Sequence, residues 1–182
     1  MDITIEPLSQ QNARAVFDFE VENRAFFEID LPSRGDGYYD YDSYCDIIKE
    51  ILVEQGRGEC FMYVIRGEAG LVLGRVNVTA VQDNAAELGY RIGQAAAGKG
   101  VATRAVALAL QLAASKHGLN KITAGTSPQN IASQKVLEKN GFSPAGKTKV
   151  NMGGEPVDSL QYVKLLANYG KINEKRSRLA TP

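Results

Sequence analysis

Two stretches of this chain gather residues whose type and spacing could do chemistry. The first, ELGYRIGQAAAGKGVAT from Glu87 to Thr103, runs from a strand-like segment through a glycine-rich turn into an alanine-rich helical sequence. Unpaired N–H groups at a helix start attract anions, by about 0.3–1 kcal/mol per charge, and glycines let a phosphate come close to backbone. Gly98, Lys99, Gly100, Val101, Ala102 and Thr103 are therefore expected to hold a diphosphate. The second stretch, TSPQNIASQKVLEKNGF, spaces Asn130, Ser133 and Leu137 at i, i+3 and i+7, so all three share one helical face and the polar pair aims in one direction. Each has a plainer reading. Gly98 and Gly100 can merely turn a loop, and Asn130 can merely start a helix that Gly141 stops. Gly93 to Gly100 also reads G-x-x-x-x-G-K-G, one residue short of a nucleotide-binding P-loop. That reading requires a Ser or Thr hydroxyl for Mg²⁺ where this chain has Gly100, and a parallel βαβ setting that the flanking strands do not offer.

Taken together and in this order, the two stretches resemble the GNAT acetyltransferase family. Its pyrophosphate loop R/Q-x-x-G-x-G/A aligns with Ala97, Gly100 and Ala102, so the small positions match while Ala97 replaces the usual Arg or Gln. Asn130, Ser133, Gly141 and Phe142 resemble the N-x-x-S…G-F signature of the branch containing ribosomal-protein-alanine N-acetyltransferases. ENRAFFEIDLPSRGDGYYDYDSY and AELGYRIG extend the resemblance over nearly the whole chain. It implies acetyl-CoA as cosubstrate and no metal. Tyr90 and Ile92 join Gly98–Thr103 and Asn130 as cofactor-binding positions, with Asn130 toward the pantetheine arm or acetyl region and Ser133 near the thioester sulfur. The arm is expected to enter where the Glu87 strand splays from the next one. Many members carry Tyr at the position of Leu137 to protonate the thiolate. Here Ser133 is the nearest replacement. The implied reaction is acetyl transfer to a primary amine, first of all a protein N-terminal α-amine such as that of a ribosomal protein. A small-molecule amine (polyamine, amino acid or drug) and a non-catalytic acyl-CoA sensor are the alternatives.

No cysteine lies near the single histidine, His117, in sequence, which favours direct attack over an acyl-enzyme. An α-amine of pKa near 8 is roughly 10–20% neutral at pH 7.4, whereas a lysine is on the order of 0.1% neutral, so the former needs little base catalysis. Glu87 is the candidate base, provided its position is desolvated. Gly89 signals a bulge or a close backbone approach, and backbone N–H groups of Leu88 to Arg91 are the expected oxyanion donors. Lys99, Arg104, Lys135 and Lys139 could assist the phosphates. Phe26, Phe27, Tyr38 and Tyr39 either line the acceptor pocket or belong to the core.

The elements that must position these groups follow from periodicity. Residues 2–7 and 59–66, 71–81, AELGYRIG, 120–126, 142–150 and VDSLQYVKL read as strands. Helices are expected from Ser9 to about residue 29, over 41–55 with Gly56 as the stop, from Val101 to Gly118, and over 129–140. A turn at Gly153 and Gly154 joins the last two strands. The fold class is α+β, a GNAT-like mixed, mostly antiparallel six- to seven-stranded sheet with helices on both faces. One domain over 1–166 is followed by a basic tail, 167–182. Twenty-one Lys and Arg balance 21 Asp and Glu, which removes the broad positive field that direct nucleic-acid binding uses. No run of about 18 apolar residues and no leader are present, so a cytoplasmic monomer or homodimer without membrane contact is expected. Two cysteines make neither a disulfide framework nor a typical zinc site.

Overall fold

Strand alternation decides the layering. Within β2 (Phe61–Arg66), Phe61, Tyr63 and Ile65 pack into one apolar cluster while Met62 and Val64 pack into another on the opposite face. The computed structural model describes residues 2–29, 31–152 and 154–167, so the basic tail beyond residue 167 and the expected turn residue Gly153 lie outside it. Seven strands form one sheet in the order β1-β2-β3-β4-β5-β7-β6, with β1 Thr4–Pro7, β3 Val72–Gln82, β4 Ala85–Ile92, β5 Lys121–Thr126, β6 Ser143–Met152 and β7 Glu155–Leu165. Every neighbouring pair is antiparallel except β4 with β5. Helices α1 (Gln10–Glu22) and α3 (Tyr41–Arg57) bury Val16, Phe17, Tyr44 and Ile48 on one face. Helices α4 (Val101–Ser115) and α5 (Ile131–Lys139) bury Val101, Ala105, Val106, Ala109 and Leu137 on the other.

The expected first helix is in fact two. It breaks at Asn23, whose side-chain N–H₂ takes the Phe19 carbonyl (2.9 Å), and α2 (Arg24–Phe27) continues beyond it. Helix α3 runs past Gly56 and stops at Gly58, which holds the left-handed conformation at φ 77°. The extension is secured by Gln55, which accepts from the Met62 N–H (2.8 Å) and donates to the Leu8 carbonyl (3.2 Å). Gly118 does close α4: at φ 67° it lets the Leu119 N–H reach the Ala113 carbonyl (2.9 Å). The bulge expected at Gly89 lies across the ladder instead. Gly89 pairs regularly with Asn77, whereas the register slips between Thr79 and Gln82, where Ala80 adopts φ 50°.

The pairing of β4 with β5 stops early. Ala85, Ala86 and Glu87 face Lys121, Ile122 and Thr123, and from there the two strands diverge with no further ladder among the described residues. Alternate backbone groups of residues 88–92 thus point into an opening through the sheet. On its other side β4 is held tightly, because a Cβ on Gly74 would lie 2.3 Å from the Arg91 carbonyl oxygen. Gly74→Ala is expected to cost about 1–3 kcal/mol by forcing β3 from β4. A urea midpoint equal to wild type would show that the strands separate there freely.

Candidate active site

The turn after β4 is built by close approach to α1. Asn23 Oδ1 accepts from the Gln94 N–H (2.9 Å), and a Cβ on Gly93 would meet the Phe19 ring at 2.7 Å and Asn23 Oδ1 at 3.0 Å. Only a glycine fits there. The chain then turns through Gly98 (φ 72°) and Gly100 (φ 79°), and Gly100 caps α4 with its carbonyl accepting from the Arg104 N–H (3.1 Å). No backbone partner is found among the described residues for the N–H groups of Lys99 to Thr103, as expected for a helix start. Space within 4 Å of where Cβ atoms would stand on Gly98 and Gly100 is open. Val101 is anchored in the core while Gly98, Lys99 and Gly100 are exposed, so the turn is fixed from below and free above.

Across the opening stands α5. Asn130 caps it, its Oδ1 accepting from the Ser133 N–H (2.9 Å), which leaves the amide N–H₂ of Asn130 for another partner. The Ser133 hydroxyl lies 2.9 Å from the Tyr90 hydroxyl on β4, so the Tyr90 ring bridges the opening to the first turn of α5. Burial holds the Tyr90 phenol above its usual acidity range, partly opposed by the Ser133 hydrogen bond, so it stays protonated at neutral pH. Leu137 is buried in the core one helical turn beyond Ser133. At the far end of α5, the Asn140 side chain donates to the Thr103 carbonyl (3.2 Å) and the Val136 carbonyl (2.8 Å), tying the two helices together beside the turn.

Alternation along β4 divides the expected site residues between two faces. Leu88, Tyr90 and Ile92 lie with α4 and α5, whereas Glu87, Gly89 and Arg91 lie on the face of α1 and α3. Glu87 and Ser133 therefore flank the opening from opposite sides. Glu87 is exposed, bordering a depression of about 330 Å³ with Asp83, Lys121 and Thr123, so the desolvated environment expected for it is not found. Strand propensity and position leave open what covers it, and among the described residues no element does. His117 is structural. It stacks on Phe61 (centroids 3.4 Å apart) and meets the Tyr63 hydroxyl at 2.6 Å, remote from the turn at the opposite end of α4. Phe27 and Tyr38 are buried, while Phe26 and Tyr39 are half-buried at the rim. Sequence reasoning missed the Asn23 clamp and the Tyr90–Ser133 contact, which join residues 71 and 43 positions apart. Neither pair leaves a periodic or spacing signal.

A family profile described as an acetyltransferase (GNAT) domain matches residues 2–143. The chain belongs to the GNAT acetyltransferase family. The probable N-acetyltransferase YjcK of Bacillus subtilis is 30% identical over 154 residues, which span 82% of this chain and 85% of that protein. Among solved structures, the ribosomal-protein-S5-alanine acetyltransferase from Vibrio fischeri superposes with a TM-score of 0.86 over 93% of this chain and 96% of that one, at 19% identity. The spermidine N-acetyltransferase from Vibrio cholerae, solved with CoA and spermine, gives 0.74 over 92% and 97%, at 18% identity. These last two likenesses concern the fold.

As a GNAT acetyltransferase, the protein is an acetyl-CoA-dependent N-acetyltransferase, and its residues fit that cosubstrate. Free N–H groups and uncovered glycines at Gly98–Thr103 suit the diphosphate. The broken ladder beyond Glu87 leaves strand-edge groups for an extended amide-bearing arm. Among the described residues no three His, Cys, Asp or Glu side chains gather as metal ligands, and no helix is long and apolar enough to cross a membrane. Gly100→Val places a branched side chain where the turn is open, at a φ that such residues resist. Acetyl-CoA affinity by calorimetry is expected to fall at least about tenfold while far-UV circular dichroism stays native. Unchanged affinity would put the diphosphate elsewhere.

Proposed function

We propose that this GNAT enzyme acetylates a protein N-terminal α-amine by direct attack in a ternary complex, with the turn Gly98–Thr103, Asn130, Tyr90 and Ile92 on the cosubstrate side. The observation that supports this reading is that, among the described residues, the carboxylates of the acceptor face are either exposed or held by arginines. Glu87 is exposed, and Glu20, the buried carboxylate there, is held by Arg75 at 2.9 Å and Arg91 at 3.5 Å. An acceptor that must lose a proton without strong help is one with an appreciable neutral fraction, which an α-amine has and a lysine or polyamine nitrogen lacks.

Acetyl-CoA supplies the acyl carbon and a thiolate leaving group. The amine nitrogen bonds to that carbon as the carbon–sulfur bond breaks, and the surplus amine proton leaves to water beside Glu87. Ser133 donates its hydroxyl proton toward the sulfur, and Tyr90, held protonated by burial, replaces it and recovers a proton from solvent. The pair thus does what a tyrosine at the position of Leu137 does in other members. Backbone N–H groups of Leu88 to Arg91 that face the opening are placed to receive the developing negative oxygen.

Ser133→Ala is expected to lower kcat by about 10–100-fold with acetyl-CoA affinity retained, and Tyr90→Phe to lower kcat by a smaller factor. Equal turnover in both would remove the relay. With an Ala-starting peptide, kcat/KM should climb through pH about 8 as the amine deprotonates. It should then stay level beyond pH 9, because the raised Tyr90 pKa keeps the donor protonated. In a panel of Ala- and Ser-starting peptides, Nα-blocked lysine and spermidine, thiol release should be fastest with the peptides. Preference for spermidine would transfer the assignment to polyamines, and no thiol release with any amine would favour a sensor.

A further inference from the structure

The buried polar groups on the acceptor face are incomplete. Glu20 is fully buried between α1 and the sheet, Arg75 is 4% exposed, and the Arg91 side chain is 15% exposed. Two guanidinium groups share this one carboxylate. Both contacts are misaligned for hydrogen bonding, so Glu20 Oε1 and Oε2, Arg75 Nε and Arg91 Nη1 have no hydrogen-bond partner. The Tyr38 and Tyr44 hydroxyls and the Asn77 amide oxygen are also buried and unpartnered. Together these make up every such side-chain atom found among the described residues. Isolated unmet groups are scattered in ordinary interiors, and each is costly. Their collection at one place is unusual, and the place is informative.

Register fixes where it lies. Arg75 pairs with Arg91, and Asn77 pairs with Gly89, so these four positions share the acceptor face beside the opening. Gly89 presents no side chain, and nothing stands within 4 Å of where its Cβ would be. Arg34 stacks over Tyr38 at 4.5 Å from the rim side, and its charge acts against that of Arg91, whose pKa is lowered by burial first and Arg34 second. Arg24, by contrast, is matched by Glu28 (3.0 Å) and Asp36 (2.7 Å). The unmet groups are donors on the guanidinium and phenol groups and acceptors on Glu20 and Asn77, but Arg34, Arg75 and Arg91 outnumber Glu20, so the local charge is in positive surplus and favours an anion with several acceptor atoms.

We propose that this cluster is a second attachment point for the acceptor, receiving a carboxylate carried near the reacting amine on the acceptor side of β4. Arg34, which is exposed, and the Arg91 side chain bind the carboxylate beside Gly89, with the buried groups behind them supplying the field that favours an anion. The site selects acidic acceptors and rejects polycations. The inference rests on the β4–β5 opening being the place of transfer to an α-amine. The carboxylate can come from an acidic side chain at the second residue of a peptide or from a nearby chain end, and the two sources are separable.

The test compares kcat/KM for Ala-Asp-Gly amide (side-chain carboxylate), Ala-Gly with a free terminus (terminal carboxylate), Ala-Gly amide, Ala-Lys-Gly amide and spermidine. At least one carboxylate-bearing acceptor should exceed Ala-Gly amide by about tenfold and Ala-Lys-Gly amide by more, and which one identifies the source. Arg34 is exposed, so its variants should fold. Arg34→Ala should shrink the preference, and Arg34→Glu should turn it toward Ala-Lys-Gly amide. Equal use of acidic, neutral and basic peptides by the wild type, or a preference indifferent to Arg34→Glu, overturns the proposal. If no acceptor is turned over, the function proposed above fails. The anion seat is then decided by calorimetry on CoA-loaded protein. Tighter binding of N-acetyl-Ala-Asp-Gly amide than of its Lys counterpart keeps it, and equal binding discards it.

Discussion

A sheet that stops pairing in its middle must satisfy the backbone it exposes, and most of this protein is organised around that requirement. The ladder between β4 and β5 ends at Glu87 and Thr123, yet both strands continue. Each is held rigidly on its outer side, β4 by β3 and β5 by β7, so the gap cannot close by drifting. Unmet N–H and C=O groups then line a slot whose natural occupant is another extended chain of amides. The pantetheine arm of coenzyme A has that chemistry. The glycine turn at one end of the slot and α5 at its side gain their roles from this gap.

Because side chains alternate along a strand, β4 offers different chemistry to its two faces. Tyr90 reaches α5 and Ser133 on one face, while Glu87, Gly89 and Arg91 lie on the face of α1 and α3. A slip of one residue in the β3–β4 register would exchange the two sets, and the snug fit of Gly74 against the Arg91 carbonyl makes such a slip sterically costly. The two sides also differ in electrostatic character. The first carries hydroxyl, imidazole and amide groups, whereas the buried charges, Glu20 and Arg75, lie on the second, where arginines are in surplus over available carboxylates.

Local signals made much of this legible in the sequence. The glycine turn, the capped face of Asn130 and Ser133, and the left-handed stops at Gly118 and Gly141 depend on residues near one another in the chain, so their spacing carries them. What stayed hidden depends on contacts made only after the sheet forms. Asn23 reads as one more polar residue in a helix until Gln94 is brought against it. Glu20, Arg75 and Arg91 look like surface charges in their own segments, and topology alone buries them together. Glu87 marks a different limit: its strand is legible, whereas its exposure depends on what packs over it, which no local pattern encodes.

Asn23 ends α1 with one side-chain group and grips the turn before the nucleotide loop with the other. The end of α1 and the bend before the glycine turn are thereby joined through one amide, in addition to the contacts that Glu20 of α1 makes with β3 and β4. Removing that amide would loosen the end of α1 and the approach to the glycine turn together.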